Sequence, residues 1–111
     1  MITNHRKMSR ATFNALHTCD VVARALKGTG NTHAVLYLTA ARRAYDEYGP
    51  RGVRAQILYA ISNLRSWRGD VARASKVALA RCAQSLEIES HESDAAAISG
   101  NSQGSHAVYY T

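Results

Sequence analysis

Apolar residues recur at intervals of three and four along most of the chain, and glycines with a single proline cut that pattern into four stretches of helical length. In the first stretch, Ala15, Cys19, Val22 and Leu26 form a stripe flanked by Thr12, Leu16 and Ala23. Ser9 is placed to cap its start and Gly28 to follow its end. His17, Asp20 and Arg24 fall on the opposite side with Phe13 among them, where an aromatic ring either meets the N-terminal arm or awaits a partner. In the second stretch Thr32 is the expected cap, and Tyr37, Ala41, Ala44 and Tyr48 make a seam beside Ala34, Leu38 and Tyr45. Large and small residues alternate along it, so another helix of the chain can approach closely, or a second copy can in a homodimer. Arg42 with Asp46, and Arg43 with Glu47, have the spacing of ion pairs on one helix surface.

Gly49 and Pro50 end the second helix, and the third is expected over about residues 51 to 68, with Val53, Ile57, Ala60, Ile61, Leu64 and Trp67 on one face. Tyr59 and Asn63 lie opposite, while Arg54, Arg65 and Arg68 follow one border of the apolar face. Gly69 suits a left-handed residue closing that helix and Asp70 the N-cap of the next, which should run to about Leu86. Its expected core face is Val71, Ala74, Ala78, Cys82 and Leu86, joined by Leu79. Beyond Leu86 the periodicity fails and the chain becomes rich in serine, so residues 88 to 111 are expected to be largely disordered, with Asp94 to Ile98 able to form a helical turn and Val108-Tyr109-Tyr110 available to dock on a groove.

A chain of 111 residues with 46 % hydrophobic and 20 % charged content has room for one core and is too apolar for wholesale disorder. The expected fold is therefore all-α: a compact single-domain bundle of about four helices over residues 9 to 87, with the third helix central and Trp67 anchoring the core. A flexible basic arm, residues 1 to 8, precedes it, and a flexible acidic tail follows.

Charge changes the picture most. Residues 1 to 86 carry all 14 lysines and arginines and four acids, a balance of +10, whereas the remainder carries Glu87, Glu89, Glu92 and Asp94 and no base. Between residues 51 and 81 seven cations face Asp70 alone, and six of the seven are arginines, whose planar fork suits phosphate and carboxylate. The acidic tail is also a candidate to fold back on that basic face and compete with its partner.

Nothing comparable points to catalysis. The five histidines fall on different segments, and neither HxxxH nor CxxC occurs. His17 and Cys19 sit about 200° apart around a helix, too far to share one metal ion. The Gly28-Thr29-Gly30-Asn31 run is short, follows a helix and lacks the lysine of a phosphate-binding loop. Cys19 and Cys82 read as core thiols without an activating base, and His17 with Asp20 as a surface polar pair. The expectation is a protein that is not an enzyme and uses no cofactor or metal. Two reduced thiols, no run of 18 apolar residues and no apolar segment behind the basic N-terminus lead to the expectation of a cytoplasmic location without membrane contact.

The functional expectation is binding through Arg54, Arg65, Arg68, Arg73, Lys76 and Arg81, with Phe13, Tyr59 and Asn63 as possible aromatic and polar contacts. Nucleic acid is the first choice of partner. The Gly69 corner invites comparison with a helix-turn-helix, but Arg68, Asp70 and Ser75 occupy positions that motif keeps apolar, which favours contact with the phosphate backbone. The alternative is a protein-interaction module docking on an acidic protein surface. In size and composition the chain is similar to small basic accessory or inhibitory factors of phages and mobile elements that act on nucleic-acid-processing complexes.

Overall fold

The computed structural model describes the backbone of residues 8–99 and the side chains as far as residue 89. Four helices follow one another: α1 (Arg10–Ala25), α2 (Thr32–Tyr48), α3 (Pro50–Ser62) and α4 (Asp70–Ser99), with no strand among the described residues. The all-α bundle expected from the periodicity is the fold. Each helix packs on its neighbour in a ring, and α1 and α3 also touch across it. Leu26, Leu38, Ile57, Leu64, Leu79 and Leu86 fill the centre with almost no exposure. Removing that much branched aliphatic surface from water is the main force for assembly, at about 2 kcal/mol per side chain.

Local chemistry sets the helix ends. Ser9 caps α1 as expected, its Oγ accepting the Thr12 amide at 3.0 Å. At α2 the cap position belongs to Asn31 rather than Thr32, and neither side chain closes the end. The predicted α2 seam is buried through Ala34, Leu38, Ala41 and Ala44 against α3, so it is used inside one chain, except that Tyr48 swings 70 % exposed to the outside. Arg42 lies 4.0 Å from Asp20 of α1 rather than beside Asp46, and this occupies the aspartate expected to accompany His17.

Gly49 turns the chain with φ at +72° and Pro50 starts α3, a position where its missing N–H costs nothing. Gly52, one turn on, is helical and buried, and its bare Cα lets the α2 backbone at Ala44 come close.

Two sequence expectations need correction. First, α3 stops at Ser62, not near residue 68. The Ser62 hydroxyl and the Asn63 amide both donate to the Tyr59 carbonyl, at 3.0 and 2.9 Å, and so compete with the helical ladder. Two tight turns follow, Leu64 N–H to Ile61 O and Trp67 N–H to Leu64 O, which keep roughly the helical period and so bury Leu64 without a helix. Trp67 consequently packs half-buried on the rim of the core and does not anchor its centre. Second, α4 turns a different face inward: Ala72, Leu79, Ala83 and Leu86 are buried, while Val71 is 61 % exposed and Ala74 is exposed too. α4 also continues to Ser99, well past Leu86, so the first part of the segment expected to be disordered is helical. Val108-Tyr109-Tyr110 and residues 1–7 of the N-terminal arm lie outside the described residues, and Met8, the last residue of that arm, packs half-buried against the core.

Candidate nucleic-acid interface

The loop of residues 63–69 and the first three turns of α4 gather most of the predicted cations. Arg65, Arg68, Arg73 and Lys76 line one open hollow together with Trp67, Gly69 and Val77. Arg73 also borders a second hollow with Asp70, Ala74, Val77, Ala78 and Arg81. Arg73 and Val77 are thus shared, and the two depressions form one continuous face carrying five cations and the single carboxylate of Asp70.

Two of these cations also serve the fold. Lys76 donates from Nζ to the Trp67 carbonyl at 2.7 Å, which ties the loop onto α4 and fixes the edge of the hollow. Arg73 reaches Asp70 at 3.3 Å on an exposed surface, where such a pair contributes little and is easily exchanged for a stronger anion. Arg65, Arg68 and Arg81 are exposed around the face.

Arg54 does not belong to the face. It is half-buried at the start of α3 and its Nη2 lies 3.5 Å from Glu87, near the far end of the α3–α4 contact. Since Trp67 meets Lys76 and Arg54 meets Glu87, α3 and α4 run antiparallel. About 16 Å of helix therefore separates Lys76 from Glu87. Because α3 ends at Ser62, residues 51 to 68 do not form one straight helix, and Arg54 shares no border with Arg65 and Arg68.

The predicted polar and aromatic contacts are also elsewhere. Asn63 spends its amide on the end of α3, and the half-exposed Tyr59 ring rests 5.3 Å from that of Tyr37 on the α2 side. Phe13 stands 63 % exposed on α1. Neither hollow includes any of the three. Val77, which the sequence pattern also sets on the outer side of α4 with Arg73, Lys76 and Arg81, is apolar, nearly half exposed and common to both hollows. It falls between Arg73 and Arg81 at steps of four and so shares their stripe on α4.

No family model matches the chain, and neither a curated protein nor a solved structure matches it.

The acids once grouped as a tail divide by role. Glu87 meets Arg54, and Glu89 accepts from the hydroxyls of Ser9 and Thr12 at 2.9 and 3.3 Å, at the positive end of α1. Both are engaged farther along α4 than the cation face, which occupies its first three turns. The side chains of Glu92 and Asp94 lie outside the described part.

Among the described residues no group of three histidines, cysteines or acids could hold a metal ion, and no helix is long and apolar enough to cross a membrane. Cys19 is buried and Cys82 half-buried, and both are free thiols. Burial, with Cys82 and Asp20 adding to it, pushes the Cys19 thiol up to about 12, the opposite of what a nucleophile needs.

Proposed function

We propose that the protein is a non-catalytic nucleic-acid-binding protein that holds phosphates on the face formed by Arg65, Arg68, Arg73, Lys76 and Arg81. The observation that carries this reading is the convergence of five cations from one loop and one helix around a single carboxylate. Arginine forks suit phosphate oxygens, and a one-sided field of this kind attracts a polyanion. A cytoplasmic location belongs to the same proposal, since a reducing compartment would keep Cys19 and Cys82 as the thiols they are. The second reading, docking on an acidic protein in the manner of an accessory or inhibitory factor, draws on the exposed Val77 among the same arginines, since protein interfaces reward a buried apolar contact.

Fluorescence anisotropy of labelled DNA and RNA tests the first reading. With about four phosphates engaged, affinity should fall about 100-fold between ~50 and ~200 mM salt. The triple variant Arg65→Ala, Arg68→Ala, Arg81→Ala leaves the Lys76 tie intact and should lower the slope of log affinity against log salt by about 3. Binding that this variant retains in full would move the site elsewhere, and absence of binding would leave the acidic protein surface as the better reading.

A further inference from the structure

Resting on that reading, we infer that the nucleic acid is a DNA duplex and that α4 enters its major groove along the ridge of Arg73, Val77 and Arg81. These three residues are spaced by four and project from the outer side of α4, opposite the buried line of Ala72, Leu79 and Leu86. Arg73 and Arg81 stand about 12 Å apart along the helix axis. Small Ala74 and Ala78 border the ridge, so the exposed face of α4 is narrow where it would meet the groove.

Three properties of the face select among nucleic acids. A helix fits the groove of B-form DNA, which is about 12 Å wide, whereas the major groove of an RNA duplex is deep and too narrow to admit it. Proteins that favour single strands supply aromatic rings on which bases stack. Here Trp67 is the aromatic residue of the two hollows and its half-buried ring packs against the core, while Tyr59 rests on Tyr37. Finally, an apolar residue midway between two arginines has no use on a phosphate backbone, yet Val77 is exposed there. In a major groove the same residue can pack on a thymine methyl while the arginines reach base edges or the flanking strands.

Arg65 and Arg68 approach from the preceding loop, beside the N-terminal end of α4, where they can hold the phosphates that border the groove. The arrangement is not a helix-turn-helix, because seven residues, 63–69, join α3 to α4 where that motif has a turn of three or four.

The test compares the full chain on a DNA duplex of ~20 base pairs, an RNA duplex of the same sequence and the single DNA strand, all at ~100 mM salt. The DNA duplex should bind at least about tenfold more tightly than either of the others. Methyl green, which occupies the major groove, should displace the protein, and the minor-groove ligand netropsin should not. Val77→Glu, at an exposed position compatible with a helix, should weaken DNA-duplex binding by more than tenfold, with circular dichroism checking that the helices persist. Equal affinity for the three nucleic acids, or displacement by netropsin alone, would overturn the groove assignment and leave the phosphate-binding reading standing. Failure to bind any of them would overturn both.

Discussion

At the scale of single residues, the glycines around Pro50 show how one signature can hide two purposes. Gly49 needs its positive φ, and that was readable from a glycine preceding proline at a helix boundary. Gly52 belongs to the same cluster in the sequence but is needed for space. A Cβ there would lie 2.5 Å from the Ala44 carbonyl oxygen and 2.9 Å from the Tyr48 Cβ, and backbone cannot yield as a flexible side chain can. Gly52→Ala should therefore destabilise by about 1–3 kcal/mol, seen as a fall in Tm of at least about 5 °C, even though alanine favours a helix elsewhere. An unchanged Tm would mean that α2 and α3 have slack at this crossing. Cys19 gives a second residue-scale prediction through pH. Its thiol titrates near 9.0 when free and about 12 when folded, so the native state binds the proton more tightly. The resulting stabilisation is complete below pH 9 and is lost as pH rises toward 12. Between pH 9 and 11 the wild type should lose up to roughly 2–3 kcal/mol relative to Cys19→Ala in urea unfolding, and parallel losses in the two proteins would refute it.

At the scale of elements, the existence and order of the four helices were legible because leucines, valines and alanines recur at a helical period and glycines interrupt them. The face of α4 was not, because an alanine-rich helix offers several stripes of similar apolarity. Leu79 and Leu86, seven residues apart, decide the matter, and they turn Val71 and Ala74 outward. The end of α3 was illegible for a different reason: successive tight turns preserve the period that identifies a helix, so Leu64 stays in phase after the helix has stopped. The acidic end of α4 was misread because side-chain acids with distant partners look the same in sequence as solvated ones. Glu89 joins α4 to the cap of α1, and removing it should be felt at the other end of the chain. Ser9→Ala and Glu89→Ala should each destabilise by about 1 kcal/mol, while the double variant should cost less than their sum by about 0.5–1 kcal/mol. Strict additivity in a double-mutant cycle would show that α4 is not fastened there.

At the scale of the whole molecule, the question is whether affinity follows total charge or the placement of charge. The chain carries +6 overall, and a basic protein of that charge attracts polyanions by a diffuse field whatever its surface detail. Placement matters only if loop and helix geometry hold several forks within reach of successive phosphates, which is what the junction of residues 63–69 with α4 provides. Two charge-matched variants separate these causes. Arg65→Ala, Arg68→Ala, Arg81→Ala and Arg10→Ala, Arg24→Ala, Arg43→Ala each lower the net charge by three, and the second set touches only exposed arginines of α1 and α2 outside both hollows. A diffuse field would weaken both variants alike. A defined site should leave the second within about threefold of the wild type at ~150 mM salt, where interactions beyond about 8 Å are largely screened, and weaken the first by a hundredfold or more. Each α4-side arginine would then contribute through a phosphate it meets directly, whereas Arg10, Arg24 and Arg43 act only as members of a cloud that salt disperses. Equal losses in the two variants would return the basic surface to a solubilising role and remove the basis for assigning it a ligand.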